Sequence, residues 1–332
     1  MQNRCVVLKS RAIGIPQPAD FALEERTLAP LADGQLLVRN AYLSVEPAMR
    51  GWIADTQNYS APVEIGAVMR SLAAGTVIAS RHPDWHEGDL VTGWFGWQEL
   101  AAVEPTAIIR RITETDLDLS LSLGVLGING VTAHIGLNRI GMPVAGDTVV
   151  VSTAAGAGGS VVGQLAHVLG GRTGGITRGP EKVKLCRELF GYDAAIDYRN
   201  EDVATALAAA CPSGVNVYFD STSGAISDAV MAQLAMRARV VVCGTASIGA
   251  WSPWPTGPRV ERHLLVKRAR MEGFVIFDHL DLWDETVAAL ADRVRAGSLR
   301  YREHVIDGLE NAPDALAGLY RGDNLGKTLI RL

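Results

Sequence analysis

The run Thr148-Val149-Val150-Val151-Ser152 is apolar and rich in β-branched residues. It leads into Thr153-Ala154-Ala155-Gly156-Ala157-Gly158-Gly159-Ser160-Val161-Val162-Gly163, and a helical pattern over 160–169 follows at once. A strand, a glycine turn and a helix in that order aim backbone N–H groups and a helix N-terminus at a pyrophosphate. The strict G-x-G-x-x-G fingerprint is not met, because Val161 stands where its last glycine would fall; the spacing is Gly156-x-x-Gly159-x-x-x-Gly163. A tight strand-to-helix connection without a ligand could read the same way, but the βα units that follow favour a dinucleotide site. Gly156, Ala157, Gly158 and Gly159 are its expected pyrophosphate contacts.

Charge selects the dinucleotide. A site for NAD places an acid at the end of the second strand, about 20 residues on, to accept from the ribose 2′-hydroxyl. Here that region reads Gly175-Ile176-Thr177-Arg178-Gly179-Pro180-Glu181-Lys182, with no acid at the strand end. Arg178, Lys182 and a hydroxyl suit a 2′-phosphate, which a carboxylate would repel. NADPH is therefore expected rather than NADH, the alternative being that both cations are solvated helix-start residues.

These residues sit in a chain of 332 residues, which at roughly 100–200 residues per domain suggests two domains. The net charge is −5 with no long run of one sign, so the basic face a nucleic acid would need is missing. No segment approaches the ~18 apolar residues of a membrane span, and the N-terminal residues show no signal-peptide pattern. The four cysteines, Cys5, Cys186, Cys211 and Cys243, are isolated, which argues against a disulfide framework. A cytoplasmic location is expected. The 35 glycines are scattered rather than periodic, so they mark turns and close approaches, not collagen.

Up to about residue 125 the pattern is β-rich, with short strands expected over 4–9, 21–27, 35–41, 75–80, 89–94 and 99–103. From about Asp147 it alternates. Strands over 148–152, 195–197, 215–220, 239–243 and 273–277 interleave with helices over 160–169, 180–190, 202–210, 225–236 and 282–296. Alternation of this kind implies a parallel sheet covered by helices. The tail reads strand, helix, strand over 301–306, 312–320 and 327–331; periodicity alone allows it to extend either domain.

Longer motifs then match in order along the whole chain. Leu43-Ser44-Val45-Glu46-Pro47-Ala48-Met49-Arg50-Gly51 resembles the L-S-V-D-P-x-M-R-G signature of zinc-independent medium-chain dehydrogenase/reductases, in the branch of prostaglandin and leukotriene reductases, plant double-bond reductases and bacterial curcumin reductases. Tyr59-Ser60-Ala61-Pro62-Val63, Gly88-Asp89-Leu90-Val91, Leu123-Gly124-Val125-Leu126-Gly127, Val217-Tyr218-Phe219-Asp220 and Gly322-Asp323-Asn324-Leu325-Gly326-Lys327 extend the match. The resemblance implies an α/β protein: a GroES-like β-rich catalytic domain (1–125 and 299–332) and a Rossmann parallel-sheet domain with helices on both faces (126–298). It also implies an active site in a cleft between them and a homodimer along the Rossmann sheet edge.

Residue by residue, the resemblance assigns Lys182 and Tyr198 to the 2′-phosphate, and Cys243, Thr245, Phe274 and Ile276 to the nicotinamide. Asn324 would reach the cofactor from the tail, while Thr132 and Ser221 complete the cofactor set. Core packing is the plain alternative for Cys243 and Phe274, and turn formation for Asn324. Cys5 is the only cysteine before residue 186, and His82, His86 and His134 lack cysteine partners, so no metal site is expected.

The activity implied is NADPH-dependent reduction of the carbon–carbon double bond of small, largely apolar α,β-unsaturated aldehydes and ketones. A quinone oxidoreductase and a catalytically impaired NADPH-binding protein are the rivals. The pattern breaks where the family carries tyrosines: Gly249 and Ala48 stand there instead, and Ser221-Thr222-Ser223-Gly224 replaces Asn-Val-Gly-Gly. Tyr59 becomes the candidate proton donor, with water as the alternative. Trp94, Trp97, Trp251 and Trp254 lie in stretches expected to approach the cleft; core packing is the favoured reading for Trp94 and Trp97, while Trp251 and Trp254 suit a flat apolar wall beside the substrate.

Overall fold

The computed structural model describes residues 1–55, 58–249 and 253–332. Trp251, expected beside the substrate, lies outside the described residues.

The chain opens with β1 (Gln2–Leu8), β2 (Phe21–Thr27) and β3 (Leu36–Ser44), followed by α1 (Met49–Ile53). Next come β4 (Ala73–Ser80), β5 (Leu90–Gly93), β6 (Leu100–Val103) and β7 (Ile108–Arg111). After α2 (Ile128–Ile135) the pattern alternates: β8 (Thr148–Ser152), α3 (Ala157–Val168), β9 (Arg172–Thr177), α4 (Pro180–Glu188), β10 (Ala194–Asp197), α5 (Val203–Ala210) and β11 (Val215–Asp220). It continues with α6 (Gly224–Met231), β12 (Leu234–Val242), α7 (Glu261–Lys267), β13 (Arg270–Gly273) and α8 (Trp283–Arg295). The tail supplies β14 (Glu303–Asp307), α9 (Ala312–Arg321) and β15 (Lys327–Arg331).

The chain divides into two compact units, one comprising Met1–Gly124 with Glu303–Leu332, the other Val125–Arg302. In the first, the strands run in the order β14-β15-β3-β4-β5-β7, with β6 also on β3. The tail thus pairs with the β-rich half: β15 is antiparallel to β3, Leu329 facing Ser44. Its core gathers Leu8, Leu36, Leu43, Met49, Trp52 and Phe95. Trp97 belongs to that core too, wholly buried and donating its indole N–H to Ser44 O at 3.1 Å. This is the core packing favoured for Trp97 from the sequence.

The second unit is a parallel sheet in the order β10-β9-β8-β11-β12-β13. Val149, Val150 and Val151 are fully buried, as befits a central strand covered on both faces. Chain order reverses between β8 and β11, which creates a crevice at their carboxyl ends. Sequence patterning overextends the helix expected over 225–236, which ends at Met231 and gives way to β12. It also places a strand over 273–277, where β13 stops at Gly273 and a 3-10 turn starts at Ile276. β9 was missed as an apolar run because Gly174 and Gly175 occupy its middle. A Cβ on Gly175 would lie 2.7 Å from Ala154 Cβ, so the strand needs glycine there. Among the described residues, no helix is long and apolar enough to cross a membrane.

Candidate cofactor and active site

In the second unit the glycine turn works by close approach. Gly156 is extended (φ −81°, ψ 175°) and caps α3, its N–H donating to Thr153 O at 2.7 Å. The helix begins at Ala157, three residues before the expected start, because the glycines themselves take helical geometry. Ala157, Gly158 and Gly159 therefore carry first-turn N–H groups, which have no acceptor inside the helix. Gly159 is buried, and a Cβ there would stand 2.4 Å from Thr153 O. Gly158 is half-buried, and a Cβ on it would meet only Asn129 O at 3.8 Å. Gly159 thus seats helix on strand, while Gly156 to Gly158 leave backbone accessible. That division fits a pyrophosphate over the helix start. Gly163 has another purpose: a Cβ would fall 2.2 Å from Cζ of Tyr192, whose hydroxyl donates to Gly159 O at 2.6 Å.

Next to this turn, the ends of β9 and β10 hold Arg178, Lys182 and Tyr198. Thr177 and Asp197 pair across the two strands, and Tyr198 N–H donates to Thr177 O at 3.0 Å. Asp197 ties the corner together, accepting from Gly179 N at 2.7 Å, Arg199 N at 3.1 Å and Asn200 Nδ2 at 2.7 Å. Burial alone would raise its pKa, but the hydrogen bonds from Gly179, Asn200 and Arg199, with the Arg199 charge, together hold it below the ordinary value. Sequence reading overlooked Asp197; its signal was an acid at a strand end followed by turn-forming residues. Arg178 and Lys182 are half-buried and Tyr198 is exposed.

At the reversal of strand order, Ser221 follows β11 and Cys243 follows β12. Ser221 N–H donates to Ser152 Oγ at 2.8 Å, linking the ends of β8 and β11. Cys243 N–H and Gly244 N–H both donate to Asp220 O, at 2.7 and 3.1 Å. The Cys243 residue is partly exposed, but its sulfur is desolvated; burial pushes the thiol up to about 12, with the Asp220 charge adding and a Ser221 contact opposing. It is a neutral thiol near neutral pH. Thr245, half-buried, accepts at its carbonyl from Ile248 N–H at 3.0 Å. Thr132 lies in α2, and its carbonyl accepts from Gly136 N–H. A Cβ on Gly136 would stand 2.7 Å from Phe274 Cζ and 2.9 Å from Phe219 Cε2, so this glycine admits both rings. Ile276 is buried. Gly156–Gly159, Arg178, Tyr198, Ser221, Cys243 and Phe274 all follow carboxyl ends of parallel strands, so the topology gathers them along one sheet edge.

In the β-rich unit, Tyr59 is 54% exposed, and its hydroxyl accepts from Trp52 Nε1 at 3.1 Å. Trp52 in turn meets Trp94 edge-on, ring centroids 5.5 Å apart. Arg11 and Arg70 pin the surrounding loop, donating to Val63 O at 2.5 Å and Ala61 O at 2.9 Å. Trp254, in the other unit, is 76% exposed. Asn324 is half-buried and donates to Gly326 O at 2.9 Å, a turn-closing bond. Sequence reading also passed over a buried ionic cluster. Lys327 Nζ, 3% exposed as a residue, donates to Glu46 Oε1 at 2.5 Å and Ser44 Oγ at 2.6 Å. No local signal marks the pair, because its members stand 281 residues apart. Among the described residues, no group of three or more His, Cys, Asp or Glu side chains is arranged to hold a metal ion.

Comparison with known proteins agrees with this architecture. A family model described as the N-terminal domain of oxidoreductase matches residues 4–110, and one described as zinc-binding dehydrogenase matches 158–293. The chain is 39% identical over 336 residues to the NADPH-dependent curcumin reductase of Escherichia coli (strain K12), covering 100% of this chain and 97% of that protein. It is 35% identical to the NADP(+)-dependent 2-alkenal reductase of Nicotiana tabacum, covering 99% and 97%. The crystal structure of CurA from Vibrio vulnificus in complex with NADPH superposes with a TM-score of 0.93 at 39% identity, covering 99% and 98%. The chain belongs to the zinc-independent branch of the medium-chain dehydrogenase/reductases, and it is an NADPH-dependent oxidoreductase.

Proposed function

We propose that this protein reduces the carbon–carbon double bond of small, largely apolar α,β-unsaturated aldehydes and ketones. The observation that carries the reading is end-to-end similarity to reductases named for curcumin and 2-alkenals. When bound, NADPH supplies the hydride. Ala157, Gly158 and Gly159 offer its pyrophosphate first-turn N–H groups, with Gly156 shaping the turn before them, while Arg178, Lys182 and Tyr198 hold its 2′-phosphate. Thr132, Ser221, Cys243, Thr245, Phe274 and Ile276 bound the nicotinamide end, and Asn324 joins the cofactor set from the tail. Gly159 supports them by keeping α3 against Thr153.

Reduction leaves an enolate that must be protonated at the α-carbon. Tyr59 is the chain's candidate for that step. The indole N–H of Trp52 fills an acceptor position on its phenol oxygen, which polarises the hydroxyl toward giving up its proton. The exposed edge strand β13, with Leu265 and Val266 exposed on the preceding helix, suits a homodimer along the Rossmann sheet edge.

The test is NADPH oxidation with a panel of 2-alkenals, enones and 1,4-naphthoquinone, with products identified. Saturated aldehydes and ketones are expected. Allylic alcohols, turnover of the quinone alone, or tight NADPH binding without turnover would each overturn the reading. Tyr59→Phe should lower kcat by at least about tenfold with little change in NADPH affinity, and Lys182→Ala should weaken NADPH more than NADH.

A further inference from the structure

Asp220 ends β11 and is 2% exposed, yet among the described residues the donors to its carboxylate are all neutral. Oδ1 accepts from the backbone N–H of Thr222 and of Ser223, both at 2.9 Å, from Tyr218 OH at 3.0 Å and Thr222 Oγ1 at 3.2 Å, and from Ser152 Oγ at 3.4 Å. Ser227 Oγ donates to Oδ2. The loop so gripped is strained. Ser223 has φ +58° and ψ −165°, a region essentially reserved for glycine. It is also a position at which the resembling family pattern carries glycine. From the loop after β12, Ser247 Oγ donates to Thr222 O at 2.8 Å and to Ser223 O at 3.0 Å. Asp220 main-chain O meanwhile holds Cys243 and Gly244. One buried residue thus governs the spacing of both loops.

We propose that Asp220 is a positioning residue for NADPH binding: its carboxylate holds Ser223 in a conformation that serine resists, and so fixes the loop after β11 against the loop after β12. This rests on the reading that these two loops flank the bound dinucleotide; the substrate class does not enter. Because glycine adopts the Ser223 backbone without strain, it should make the carboxylate's grip partly dispensable.

The experiment measures NADPH affinity by quenching of tryptophan fluorescence, together with the melting temperature of the protein without cofactor. Asp220→Asn should raise the NADPH Kd roughly tenfold. Ser223→Gly alone should bind like the parent and melt about 2–4 °C higher. The double variant should return to within about threefold of the parent. That rescue is a result which general loss of stability would not produce. Parental affinity in Asp220→Asn, or a loss that Ser223→Gly leaves untouched, overturns the inference. Should Asp220→Asn fail to fold, Ser247→Ala at an exposed position removes the second tether to Ser223, and the same rescue is required. Lys182→Ala separates the two readings. If it weakens NADPH while Asp220→Asn does not, only this inference falls; if neither does, the placement of the cofactor falls with it.

Discussion

Glu46 in the β-rich unit and Asp220 in the Rossmann unit are both buried acids, and their carboxylates are compensated in different ways. In the β-rich unit Glu46 meets the ammonium of Lys327, a partner 281 residues away in sequence, with Ser44 Oγ donating to the same carboxylate oxygen at 2.7 Å. In the Rossmann unit Asp220 has hydroxyls and amides, several from the loop that follows it. Both arrangements offset the cost of taking charge out of water, but they accomplish different things. A cation brought from the far end of the chain joins β15 to the segment after β3. Neutral donors from the next few residues instead give a loop one shape. The first arrangement concerns whether the unit holds together, the second how finely its edge is set.

The largest expected effect sharpens that contrast. Lys327→Met deprives the buried Glu46 of its cation and should cost about 3–5 kcal/mol, because a buried charge is left without compensation. Urea unfolding followed by far-ultraviolet circular dichroism measures it. Adding Glu46→Gln should recover more than half of the loss. A cost below about 1 kcal/mol for Lys327→Met would remove the distinction between the two acids.

Within the Rossmann unit a second pair of variants separates packing from ligand binding. Gly163→Ala drives a methyl group into the Tyr192 ring and should destabilise by about 1–3 kcal/mol, read as a lower melting temperature without cofactor. Gly158→Ala meets no close neighbour and should leave that temperature unchanged or higher, since alanine favours the helix by up to about 1 kcal/mol. Its effect should fall on NADPH affinity instead. Equal loss of stability in both variants would show that Gly158, too, is there for packing.

Much of this was legible before any coordinates. β8 and β11 are apolar runs bounded by turn residues, and Thr148–Ser152 and Val215–Asp220 are found with the bounds read from sequence. The cofactor edge was legible because its parts are local: a glycine turn just after one strand and cations just after the next. Long-range pairing was not. Nothing near Lys327 announces Glu46, and nothing near Gly163 announces Tyr192, because those partners meet only through the fold. Local pattern also failed where glycine replaced the apolar signal, in β9, and where a helix passes into a strand within a few residues, between Met231 and Leu234. Gly163 looked like part of the phosphate turn for the same reason: spacing alone cannot separate a glycine that faces a ligand from one that faces a ring.

The smallest expected effect opposes the units through pH. Burial, with help from the Asp118 charge, raises the Glu303 pKa above 4.5; Ser120 and Lys327 only partly offset it. Glu303 Oε1 has no hydrogen-bond partner among the described residues, so the protonated form is the better tenant. Its contribution to stability is present below 4.5 and lost as pH rises through the folded-state value. Asp197 does the reverse. Its pKa lies below 3.8 in the folded state, so its contribution is present above that value and lost as pH falls through the lowered one. Melting temperatures between about pH 3 and about pH 7 should therefore show two separable slopes. Glu303→Gln should flatten the decline on the neutral side of 4.5, and Asp197→Asn the decline on the acid side of 3.8. If either variant flattened the other's slope, the two acids would not be acting through the separate environments that distinguish their units.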